Sequence, residues 1–211
     1  MHVARLSAAA FLGIVLAVGA TQAAAEMGQN TGVVAHGRIP AAVVSDAVVR
    51  LDVPHIRQQP DFCVPTSSAM ILKYFGATHD PARLKALAED HKPPAQRNKT
   101  FTLWVDMRHA LVQIGRNWRI RDYAKTDAGF EDGLAEIKRS LRANNPVMID
   151  VHLGAGHTFV VMGYNHPEKV VYVRDPNLAE SYSRILPYSV LQASWHNHQF
   201  ANSRSAFYSQ R

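Results

Sequence analysis

The 211-residue chain contains one cysteine, Cys63, and one cysteine excludes a disulfide framework within the chain. There is no HExxH segment and no paired Cys/His spacing, which excludes the common zinc motifs despite eleven histidines. The histidines read instead as dispersed surface and core residues, and no cofactor or metal is expected. Basic residues outnumber acidic ones, 23 against 17, for a formal net charge of +6. They are scattered rather than clustered, so nothing marks a nucleic-acid partner. After Ala20 no second long apolar run follows, which excludes a later spanning helix of roughly 20 apolar residues.

What is present starts with MHVARLSAAAFLGIVLAVGATQAAAE, in which Arg5 precedes an apolar run from Leu6 to Ala20 and small residues lead to Glu26. This is the pattern of a secretory signal peptide cleaved near Ala25. Residues 1–25 are therefore expected to be removed, leaving a periplasmic or secreted protein with no stable membrane anchor and a charge of about +5. Residues 26–50, rich in Gly, Ala and Val, read as an extended leader, and 51–211 as one domain. Exported proteins commonly carry paired cysteines. An unpaired one is either an inert buried hydrophobe or a group retained for its reactivity.

The apolar residues Val64, Ala69, Ile71, Leu72 and Phe75 recur at helical spacing, with Pro65 in the first turn and Gly76 as a stop. Asp80-Pro81 opens a second helix in HDPARLKALAED, and TLWVDMRHALVQIG forms a third that ends at Gly115. HKPPAQRNKT between them is a loop. RNWRIRDY alternates as a strand does, and FEDGLAEIKRSLRANN is a helix that Pro146 ends. PVMIDV, HTFVVMGY and KVVYVRDP are short and rich in β-branched and aromatic residues, as consecutive antiparallel strands are. LPYSVLQASW suggests one more helix and SRSAFYS a closing strand. Helices first and strands second indicate an α+β domain, with a cleft between the two parts as the natural ligand site.

Cys63 falls at or just before the start of the first helix, where unpaired backbone N–H groups and the positive end of the helix dipole favour a thiolate. A thiolate nucleophile needs a proton-transfer partner. His157 is the best candidate, because Gly154 and Gly156 leave room beside it and the following strand supports it; a lone histidine beside a strand is more often structural. The next strand ends in Asp175-Pro176-Asn177, and antiparallel pairing would return that end to His157, where Asp175 or Asn177 could orient the imidazole. Asp-Pro-Asn is also ordinary turn chemistry. Gln58, five residues before Cys63, could join the cysteine N–H in stabilising an oxyanion.

Two blocks carry a resemblance. VPHIRQQPDFCVPTSSAMILKYFG and PVMIDVHLGAGHTFVVMGYNHPEKVVYVRDP resemble the opening and second half of papain-like cysteine peptidases, in the branch of the bacteriocin-processing, double-glycine peptidases. The resemblance implies a papain-like fold, with a helical lobe carrying the cysteine packed on an antiparallel sheet carrying His and Asp. It implies Cys63 as nucleophile, His157 as general base and then acid, Asp175 as orienting residue and Gln58 as oxyanion donor. The substrate would be a peptide or protein, cut through a thioester. The same fold hosts acyltransferases that use an amine acceptor, and catalytically inactive binding modules. Val64 departs from the family pattern, which commonly has Gly after the cysteine; a β-branched residue there is expected to crowd the substrate side.

Overall fold

In the first helix, α1 (Cys63–Tyr74), every residue from Val64 to Leu72 is buried. A helix covered on all sides belongs at the centre of a domain. Its small residues Thr66, Ser67, Ser68 and Ala69 allow close approach to the sheet, and the two serine hydroxyls find partners there. Ser67 Oγ donates to the Thr158 carbonyl at 3.3 Å, and Ser68 Oγ lies 3.5 Å from Met148 Sδ. Met70, Ile71 and Leu72 are fully buried, each contributing roughly 1.5–3 kcal/mol of apolar burial. Gly76, at φ +88°, stops the helix. The Gly76 and Ala77 N–H groups return to the Lys73 and Leu72 carbonyls, which satisfies two of the free carbonyls of the last turn.

The computed structural model describes residues 42–97, 101–152, 156–179, 183–196 and 203–211. The expected signal peptide and most of the expected leader lie outside these residues. Within the leader segment, β1 (Val43–Val44) and β2 (Val48–Arg50) are strands, and β2 pairs with the central sheet. Helix α2 (Pro81–Glu89) begins as expected, with Asp80 Oδ1 accepting from the Ala82 N–H at 3.1 Å. A 3-10 turn at Pro94–Gln96 precedes α3 (Trp104–Gln113), which packs on α2.

Strand β3 (Arg119–Ala124) leads into α4 (Asp127–Arg142), which starts three residues before the expected Phe130 because Thr126 Oγ1 caps it at the Gly129 N–H. Then β4 (Val147–Val151), β5 (His157–Asn165) and β6 (Val170–Arg174) pair antiparallel in turn, as expected. A further strand, β7 (Arg184–Pro187), pairs with β6 and was not apparent in the sequence. Helix α5 (Tyr188–Ser194) and β8 (Ser203–Tyr208) complete the chain, with β8 between β4 and β3.

Strand β5 organises the sheet. One edge carries β4 over its first half and β2 over its second, and the other edge carries β6. The changeover is tight: a Cβ at Gly163 would lie 2.3 Å from the Val49 carbonyl oxygen, so only glycine fits. The register opposite β6 also shifts between Val161 and Gly163. The glycine of the HTFVVMGY block thus serves the crossing of β2. No helix among the described residues is long and apolar enough to cross a membrane.

Candidate active site

The N-terminus of α1 carries Cys63 as its first helical residue, half-buried at the edge of the core. Phe62, before it, offers no side-chain cap, and the first turn has no acidic residue. The helix end is therefore left to the thiol and the backbone N–H groups. Helix α1 packs against β5, whose first residue is His157.

The strand register decides the rest. Val160 pairs with Arg174, so the residue after β6 lies alongside the start of β5. Asp175 occupies that place, fully buried. His157 Nε2 donates to Asp175 Oδ1 at 2.7 Å, and the Cys63 thiol lies near enough to the same imidazole to raise its pKa. With Nε2 engaged by the carboxylate, Nδ1 is the nitrogen left to exchange a proton with sulfur. Asn177 approaches the carboxylate only through its backbone, its N–H donating to Asp175 Oδ1 at 2.8 Å. Of the two candidates at this turn, Asp175 is the one in contact with the imidazole. The space expected from Gly154 falls outside the described residues; Gly156 has φ +86°.

Electrostatics follow from burial and partners. Burial opposes charge on His157, but its hydrogen bond to Asp175, the nearby Cys63, and the negative charges of both, outweigh this and raise its pKa to about 9. For Asp175 burial again opposes ionisation. The hydrogen bond and charge of His157, the Arg184 guanidinium and the Asn177 N–H overcome it and lower the pKa to about 2.

Gln58 stands in the segment leading to α1, and that segment is fastened to the Asp175 turn. The Gln58 N–H donates to the Pro176 carbonyl at 2.9 Å, His55 Nε2 lies 3.2 Å from the Asp175 carbonyl, and Arg174 Nε donates to the Val53 carbonyl at 3.1 Å. Gln58 Oε1 is buried without a hydrogen-bond partner. Val64 does not lie open toward a substrate: it is 4% exposed and belongs to the hydrophobic core. The expected crowding of the substrate side by this residue is corrected accordingly.

Three residues at the site were not found from the sequence. Arg184, from the unanticipated β7, donates to Asp175 Oδ2 at 2.5 Å. Trp104, at the start of α3, donates its indole N–H to Thr158 Oγ1 at 3.1 Å, beside His157. Asp150, on β4 opposite Thr158, is buried; burial raises its pKa to about 7 against the attraction of His157 and a hydrogen bond from the Val151 N–H.

Solved structures of low sequence identity share this fold. The peptidase domain of Streptococcus ComA, a bi-functional ABC transporter involved in a quorum-sensing pathway, superposes with a TM-score of 0.53 at 18% identity, over 75% of this chain and 99% of that one. A protein described as a C39-like peptidase from Bacillus anthracis superposes with a TM-score of 0.51 at 19% identity, over 82% and 99%. These likenesses establish the papain-like arrangement of a helical part on an antiparallel sheet. No curated protein matches the chain. Residues 50–203, which hold the cysteine helix, the imidazole, the buried carboxylate and the strands that bring them together, match the model of the Peptidase_C39 like family, and the chain belongs to that family.

Proposed function

We propose that the protein is an exported cysteine peptidase that hydrolyses peptide bonds through a thioester on Cys63. The observation that carries the reading is the hydrogen bond from His157 to the buried Asp175 carboxylate, with the Cys63 thiol, from the far sequence block, near enough to act on the same imidazole. The sulfur, its proton already held on His157 Nδ1, attacks the substrate carbonyl as the thiolate. The imidazolium then protonates the departing amine, and a water deprotonated by the same imidazole hydrolyses the thioester and regenerates the thiol. Asp175, ionised at neutral pH, keeps the ring oriented and stabilises its charged form. The Cys63 N–H at the helix terminus and the Gln58 amide would meet the oxyanion of the tetrahedral intermediate.

Export rests on the N-terminal sequence pattern, and the peptide substrate on family membership. The test is digestion of a diverse peptide mixture by the mature protein and by Cys63→Ala, with products read by mass spectrometry. New termini with the wild type only are expected. The same pattern with both proteins, or none with either, would remove the assignment.

A further inference from the structure

The chain's histidines are not all dispersed, contrary to the reading of the sequence. Asp90 closes α2, His91 follows it, and His109 lies on α3, which packs against α2. One nitrogen from each imidazole and one carboxylate oxygen of Asp90 all lie within 4.8 Å of one another. The two rings meet edge to face with centroids 4.7 Å apart. No sequence motif announces this cluster, because its ligands come from adjacent residues in a turn and from a neighbouring helix.

We propose that Asp90, His91 and His109 form a surface site for a divalent transition cation of the zinc type, which ties the end of α2 to α3. Two imidazoles and one carboxylate suit zinc, copper(II) or nickel(II), whereas magnesium and calcium take oxygen ligands. Tetrahedral zinc with bonds of about 2.0–2.1 Å brings its ligand atoms to roughly 3.3 Å from one another. The side chains of His91, His109 and Asp90 are 42%, 43% and 43% exposed, so small torsions close the remaining gap without disturbing the core. A fourth position stays open to water.

The surroundings are arranged as the outer shell of a metal site is. Gln113 Nε2 donates to Asp90 Oδ2 at 3.0 Å and to the Leu87 carbonyl at 3.3 Å, while Asp90 Oδ1 faces His109 Nε2 at 2.8 Å. Asp106 Oδ1 lies 3.3 Å from His91 Nε2, and Lys92 pairs with its other oxygen. The buried Asp106 thus steadies one imidazole while Gln113 steadies the carboxylate. The far end of α3 holds Trp104 against Thr158, so the clamp braces a helix that reaches the residue beside His157.

The experiment is equilibrium dialysis of the Cys63→Ala protein against zinc chloride with metal analysis, since a free thiol beside an imidazole would itself take zinc. One zinc per chain is expected, with little magnesium retained in parallel dialysis. His91→Ala and His109→Ala, both at exposed positions, should each abolish retention, and Gln113→Ala should weaken it about tenfold. Zinc should raise the melting temperature of the parent but not of the two histidine variants. Failure to retain zinc, or undiminished retention by His109→Ala, would overturn the site.

Discussion

Arg184 Nε donates to one oxygen of Asp175 at 2.5 Å while the other oxygen accepts from His157 at 2.7 Å. A buried carboxylate is thereby held between a permanent cation and an imidazole, and both stabilise its charge. Arg184→Met removes one partner of a nearly buried pair, whose guanidinium-bearing side chain is only 11% exposed. The expected loss of stability is about 3–5 kcal/mol, read by urea denaturation. Asp175 contributes stability above its ordinary pKa of 3.8 that disappears as pH falls toward about 2. In the variant, with the folded pKa less depressed, this acid-side loss should be smaller and complete at a higher pH.

The raised pKa of His157 sets the opposite limit. Its contribution to stability is complete below the ordinary value of 6.5 and is lost as pH rises through about 9. Peptide-cleaving activity should fall over the same alkaline range, because the imidazolium that protonates the leaving amine disappears. Asp175→Asn keeps a hydrogen-bond acceptor but removes the charge. It should move the alkaline limb of kcat/KM to lower pH and reduce kcat by orders of magnitude.

Asp150 tunes that limb from the neighbouring strand. Above about pH 7 its carboxylate is ionised and attracts the charge on His157. Asp150→Asn should shift the alkaline limb of the pH profile downward while leaving the plateau rate nearly unchanged. An unaltered profile would remove Asp150 from the electrostatics of the site.

Gln58→Ala tests the oxyanion assignment. Loss of a single donor at this position is expected to lower kcat by about 10²–10³ with KM little changed, since the donor acts only as charge develops on oxygen. A change confined to KM would make Gln58 a binding residue instead.

Val64→Gly restores the residue common in the family, and the structure predicts that it harms the protein. Val64 is buried in the first turn of a central helix. Its removal leaves a cavity and adds the helix cost of glycine, together about 2–3 kcal/mol. Thermal melting should show the loss, with no gain in turnover on small substrates.

Much of this arrangement is legible in the sequence. Helical spacing around Cys63, the Asp80-Pro81 start and three consecutive β-rich segments are local signals, and antiparallel pairing of β5 with β6 placed Asp175 near His157. Arg184 was hidden because β7 is a four-residue strand close to a helix of seven residues, too short for a period to stand out. Trp104 and Asp150 read as apolar-face or strand residues, since their contacts with Thr158 and His157 depend on packing between elements. The orientation of Val64 was misjudged for a related reason: burial around a helix's first turn is set by what covers it, not by its own sequence. The same limit concealed the meeting of His91 with His109.

The rate of iodoacetamide alkylation at Cys63, compared in the wild type, in His157→Ala and in urea-unfolded protein near neutral pH, addresses the central claim most directly. If His157 and the helix terminus activate the sulfur, the folded wild type reacts fastest and the His157→Ala protein loses most of that advantage. Equal rates for the folded wild type and His157→Ala, neither faster than the unfolded chain, would contradict an activated nucleophile at this site.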